Sequence, residues 1–154
     1  MFNKNDFLEI KTLIEEFFKK TSLELEVEVL PPKDQTVFVK IKTSEPKILI
    51  GKNGQALFDL QRLLKLILKR SLKLEGAYID VDVNDYKKRK IEYLKELAKS
   101  VADEVALTKK ERVLEPMPSY ERRVIHLELA ERGDVTTESI GKEPNRRVVI
   151  KPYP

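Results

Sequence analysis

Two short stretches of this chain carry residue types whose spacing suits chemistry with phosphate. The first is Gly51-Lys52-Asn53-Gly54, with Gln55 opening an amphipathic run behind it. Glycines three apart leave backbone that a sugar-phosphate chain can approach, and either glycine can take positive φ. A helix beginning near Gln55 would aim its free N–H groups and positive dipole end at the same spot. Lys52 adds a mobile cation and Asn53 a neutral donor; a glycine-permitted turn would need the same glycines and no ligand. The second stretch is PSYERRVIHLELA, residues 118–130, where Arg122 and His126 are four apart and Arg123 adjoins them. On a helix the arginine fork and the imidazole stand one turn apart on one face. That pair can grip a phosphate, the imidazole donating through one nitrogen and tuning affinity near neutral pH. The competing reading of His126, the single histidine, is a hydrogen-bonded residue at the edge of a core.

Other reactive groups are scarce. Without cysteine and with one histidine, the common zinc sets, disulfides and thiolate nucleophiles are excluded. Asp80 and Asp82 point the same way from one predicted strand, but magnesium held there would need a third acid. No catalytic residue, metal or cofactor is therefore expected. A net charge of +4 only nudges the expectation toward phosphate-bearing partners, so the placement of charge matters more than its sum. Arg62 and Lys65 extend a basic track behind Gln55, while Lys69 and Arg70 read as an ordinary wet helix face. Lys87-Lys88-Arg89-Lys90 opens a helix where cations oppose the dipole. Arg146 and Arg147 adjoin a predicted strand, so one should face out and the other lie on the opposite side. No apolar run reaches membrane-spanning length and the start of the chain is polar, which points to a soluble, cytoplasmic protein without membrane insertion.

The elements that must position these groups follow from periodicity. Residues 6–20 place apolar side chains at helical spacing with Asp6 as the expected N-cap. Leu23 to Val29, Val37 to Ile41 and Ala77 to Val83 alternate as three strands, with a turn expected at Pro31 to Asp34. Their outer faces carry glutamates, lysines and aspartates, which suits cross-strand charge pairing and makes a poor nucleic-acid platform without paired exposed aromatics. Ser44 is the expected cap of a short helix before Gly51. Residues 55–70 form a helix whose Leu57, Leu60, Leu63, Leu64, Leu66 and Ile67 pack on the sheet, and Ile48, Ile50 and Leu57 would border an apolar groove for bases. Asp85 caps a helix reaching about Leu107. A helix from Ser119 to about Arg132, with Val124, Ile125, Leu127 and Leu129 toward a core, precedes two strands, VTTESIG and RRVVIKP.

The string Ile-Gly-x-x-Gly within helix, two strands, short helix, helix and strand resembles the prokaryotic-type KH domain, αββααβ. Residues 114–152, with Arg122 and His126 at the two naming positions, are similar to the Arg-x-x-x-His, or R-3-H, domain. KH followed directly by R-3-H resembles the bacterial Jag/KhpB family, also called SpoIIIJ-associated proteins. The resemblance implies an α+β chain of two domains, residues 1–84 and 85–154, that binds single-stranded RNA or single-stranded DNA without catalysis. It further implies a role in cell elongation and division and pairing with a small KH protein or with itself. Many family members carry a separate domain ahead of the KH unit, whereas this sequence begins at the KH helix, so functions of that domain are not expected here. The alternative is a protein-interaction module with little RNA binding, separable by its weaker salt dependence.

Overall fold

The computed structural model describes residues 3–154. The chain forms two compact units, divided between Lys87 and Lys88.

In the first unit, α1 (Lys4–Lys19) starts at Asn3, whose side chain accepts the Asp6 N–H at 2.9 Å while the Asp6 carboxylate accepts the Asn3 N–H at 2.9 Å. The cap is therefore Asn3, and Asp6 closes the reciprocal box from inside the helix. Strand β1 (Glu26–Lys33) pairs antiparallel with β2 (Thr36–Lys42), and β2 pairs parallel with β3 (Tyr78–Val83). With the order β1-β2-β3, β1 is an edge, so Pro31 and Pro32 remain inside the strand rather than forming its turn. The reversal falls on Asp34 and Gln35, both at positive φ, a two-residue hairpin. Strand β1 also begins at Glu26 rather than Leu23.

The register sets Glu28 opposite Lys40 and Lys40 opposite Asp82, so the outer face alternates charge across all three strands. On the inner face Val37, Val39, Ile41, Val81 and Val83 meet Ile10, Ile14 and Phe18 of α1. Between β2 and β3 the chain crosses over through α2 (Pro46–Ile50), one 3-10 turn (Lys52–Gly54) and α3 (Gln55–Leu72). Ser44 does not cap α2: the Glu45 N–H goes to the Thr43 hydroxyl at 3.1 Å. Thr43 is in turn fixed by the Asn84 carboxamide, which accepts its N–H at 3.0 Å and donates to its carbonyl at 2.8 Å. Helix α3 buries Leu57, Leu64 and Leu68, whereas Leu63 and Leu66 stand 46% and 64% exposed. The apolar stripe is wider than the surface available to cover it.

Helix α4 (Tyr86–Thr108) follows Asp85, and its early amide at Lys87 donates to the Asp82 carboxylate at 3.2 Å. The second unit packs Leu94, Ala98, Val101, Ala102 and Val105 of α4 against Ile125 and Leu129 of α5 (Ser119–Leu129). Both meet a sheet of order β4-β6-β5, where β4 is Arg112–Val113, β5 Val135–Ile140 and β6 Arg147–Pro152. Strand β6 is central and carries three successive buried residues, Val148, Val149 and Ile150. Helix α5 stops at Leu129, short of Arg132, and Leu127 faces out at 63% exposure instead of joining the core.

The two classes of leucine on α3 should separate cleanly. Leu64→Ala is expected to lower the unfolding free energy in urea by about 2–5 kcal/mol, and Leu66→Ala to change it by less than about 0.5 kcal/mol.

Candidate nucleic-acid interface

The passage from α2 to α3 is shaped from inside the protein. Gly51 lies at φ 69°, ψ −171°, a region essentially reserved for glycine. A Cβ there would stand 2.7 Å from the Ala56 Cβ and 2.9 Å from its amide nitrogen. Gly54 lies at φ 77°, and a Cβ on it would meet the Tyr86 ring at 3.1 Å. The sides of these residues without a side chain therefore face Ala56 and Tyr86, and neighbouring side chains rather than an approaching ligand require glycine. Asn53 takes the left-handed region too, at φ 53°, which asparagine tolerates better than most residues. The outward surface of the loop consists of Gly51, Lys52 and Asn53, all exposed.

The Gln55 amide is taken by the Lys52 carbonyl, so it is not a free donor. The Gln55 side chain donates to the Asp59 carboxylate at 3.2 Å. Arg62, two turns along α3, is exposed, but Asp59 interposes a negative charge on the same track. Ile50 and Leu57 belong to the core and leave Ile48, 56% exposed, as the apolar member beside the loop. Lys87 is committed inward: its ammonium pairs with Asp80, donates to Gln61 Oε1 at 2.9 Å and lies over the Phe58 ring. That pairing uses Asp80, while the Asp82 carboxylate accepts the amides of Val83 and Lys87. Among the described residues no group of three or more His, Cys, Asp or Glu side chains is arranged to hold a metal ion.

In the second unit Arg122, Arg123, His126 and Arg146 come together around an open hollow of about 640 Å³, shared with Ser119, Tyr120, Leu127 and Ser139. Arg123 is exposed, but Arg122 is buried. The Arg122 fork donates from Nη1 to the Met117 carbonyl at 2.7 Å and from Nη2 to Glu143 Oε1 at 2.8 Å. Arg122 thus ties the approach to α5 and the β5–β6 turn to the helix between them. Arg146 donates to the Gly141 carbonyl at 3.0 Å across that turn, and Arg147 to the Asn145 carbonyl at 3.2 Å.

His126 is half-buried, with Nδ1 2.7 Å from the Thr137 hydroxyl and Nε2 2.8 Å from the Ser139 hydroxyl. A neutral imidazole donates through one nitrogen and accepts through the other, and hydroxyls serve either role. Burial first, and then the charge of Arg122, push its pKa below the ordinary 6.5. The ring is therefore a neutral group held on β5, and a phosphate would reach it only by displacing a hydroxyl. Thr137 and Ser139 are not legible as site residues in the sequence. Their two-residue spacing in VTTESI puts them on one face of a strand, yet nothing local couples that face to α5.

Comparison with protein families matches residues 9–91 to the KH domain, more than half of the chain. The chain belongs to the KH domain family. Residues 92–152 match the R-3-H domain, so the Gly51–Gly54 loop lies in the first match and the Arg122–His126 hollow in the second. The chain is similar to proteins named "RNA-binding protein KhpB". It is 42% identical to that of Lactiplantibacillus plantarum over 110 residues, covering 70% of this chain and 33% of the relative. It is 42% identical to that of Clostridium symbiosum over 112 residues, covering 73% of this chain and 50% of the relative. With the Bacillus subtilis protein the identity is 40% over 120 residues, covering 75% of this chain and 56% of the relative. The chain thus spans between a third and just over half of the length of these relatives. No helix among the described residues is long and apolar enough to cross a membrane.

Gly51→Ala in the KH domain should cost about 1–3 kcal/mol in urea unfolding, and adding Ala56→Gly should recover little of it, because the backbone nitrogen of residue 56 and the φ penalty remain. For His126 the unfolded chain binds a proton near pH 6.5 and the folded chain only below it, so the contribution of this residue to stability is lost as pH falls through that value. The unfolding free energy of wild type relative to His126→Gln should accordingly decrease from pH 7.5 toward about pH 5, as read from paired denaturation curves.

Proposed function

We propose that this chain is a non-catalytic, cytoplasmic protein that binds single-stranded RNA through two sites, the α2–α3 loop of its KH domain and the hollow of its R-3-H domain. The observation that carries this reading is the exposed Lys52-Asn53 pair, held outward by two internally packed glycines at the start of α3 inside a KH match. KH domains clamp a few nucleotides of backbone at this loop, and the named relatives are RNA-binding proteins. The domain division is taken as residues 1–84 and 85–154. Lys52 and Asn53 hold phosphate, with Gly51 and Gly54 shaping the loop, Gln55 supporting it and Arg62 further along the strand path. Arg123 and Arg146 supply the accessible cations of the second site, Arg122 and His126 organise it, and Arg147 supports its turn. Two weak sites on one chain raise overall affinity through effective concentration when one strand reaches both.

A second reading rests on Leu63 and Leu66, the exposed leucines of α3. They favour a pairing surface for a second KH unit, either another copy of this chain or a small KH protein, alongside or instead of RNA binding.

Fluorescence anisotropy with a random single-stranded RNA of about 12–16 nucleotides separates these readings. Wild-type affinity should fall steeply with salt. Lys52→Asp with Asn53→Asp, and separately Arg123→Glu with Arg146→Glu, should each weaken binding and flatten the salt slope by about 0.7 for every phosphate no longer neutralised on a single strand, with circular dichroism unchanged. Equal binding by all three proteins, or none, would reduce the loop to a turn and direct attention to a protein partner.

A further inference from the structure

The Arg122–Glu143 pair is lopsided. The arginine side chain is 9% exposed and the glutamate side chain 59%. A buried guanidinium without a counter-charge is strongly destabilising, so some anion must stand on Nη2, but one so exposed is easily returned to water. Glu143 is carried on a turn, residues 141–146, that is internally bonded through Asn145 N–H to the Lys142 carbonyl at 2.8 Å and through the Arg146 fork to the Gly141 carbonyl. The same turn delivers Arg146 to the hollow, where Arg122 and Arg123 also converge. The opposite end of the fork, Nη1 on the Met117 carbonyl, is buried.

We propose that the Glu143 carboxylate occupies the place of a strand phosphate on Arg122. Single-stranded nucleic acid then enters the R-3-H hollow by exchanging with Glu143, and loosens the β5–β6 turn as it does so. The proposal deepens the RNA-binding reading and rests on it. Nη1 keeps the guanidinium anchored throughout, while Nη2 passes from carboxylate to phosphate, one charge-assisted hydrogen bond replacing another. Once the phosphate is in place, Glu143 is both redundant and repelled. Glu143 is then a specificity element that admits only anions able to outcompete a carboxylate.

The test compares wild type, Glu143→Gln and Glu138→Gln, each also in an Arg122→Lys background. Glu138 is a fair control, an acid of matching exposure on the same hairpin, paired with Lys151 at 2.7 Å. Affinity for a single-stranded RNA of about 12 nucleotides is measured across salt concentrations, with folding checked by circular dichroism. Glu143→Gln should bind about twofold to fivefold tighter, the worth of an exposed ion pair, with the slope of log K on log salt nearly unchanged, because Arg122 neutralises the same phosphate in both proteins. Glu138→Gln should give a smaller gain, and the Glu143→Gln gain should vanish with Arg122→Lys. In wild type, amide resonances of Lys142, Glu143 and Asn145 should move on RNA addition. A Glu143→Gln gain no larger than that of Glu138→Gln, or one that survives Arg122→Lys, makes the pair purely structural and overturns the exchange. If wild type does not bind, the RNA-binding reading fails as stated; the exchange then stands only if Glu143→Gln restores binding, and falls with it otherwise.

Discussion

A buried guanidinium has to be paired, and the second unit is arranged around that requirement. Arg122 lies at the end of the first turn of α5 with its fork spread between the Met117 carbonyl and Glu143. Those two bonds fix the chain entering the helix and the turn between β5 and β6, segments far apart in sequence. The charge also acts on its neighbour: together with burial it lowers the pKa of His126, whose ring two hydroxyls on β5 bracket. Helix, strand and turn thus meet at one cation. The exposed positive charge lies further out, on Arg123 and, tied to the Gly141 carbonyl, on the partly exposed Arg146.

The KH unit solves a different problem by a steric route. Two helices must be joined by a turn tight enough to project a lysine and an asparagine into solvent at the start of α3. Ala56 and Tyr86 occupy the space where side chains on Gly51 and Gly54 would go. The glycines are thus a packing requirement, and the turn they permit leaves Lys52 and Asn53 on the outside. Gly54 also depends on Tyr86 of α4, so the loop is braced by an element that follows the KH sheet in sequence.

Much of this is legible in the sequence because it is periodic or local. Alternation locates β2 and β3, three-four spacing locates α1, α3, α4 and α5, and the glycine spacing locates the loop. The departures share a cause. Pro31 and Pro32 suggest a turn, but an edge strand does not need every amide. Hydrophobicity assigns Leu63, Leu66 and Leu127 to cores, but a helix has only as much buried surface as its neighbours cover. Asp6 and Ser44 are good capping types placed beside better solutions, Asn3 with its reciprocal bond and Thr43 braced by Asn84.

Sequence alone determined the two-part organisation and the candidate chemistry, because residue type and local spacing suffice to recognise Gly-x-x-Gly and Arg-x-x-x-His and to place each on a helix boundary or a helix face. Tertiary structure alone decided which of those groups remain available. Whether an arginine is a ligand or a brace depends on burial and on the acid across from it, and Glu143 lies twenty-one residues beyond Arg122. Whether a histidine titrates near neutrality depends on what surrounds its ring, and Thr137 and Ser139 reach it from another element. Those are long-range distances, and a one-dimensional pattern carries no information about them.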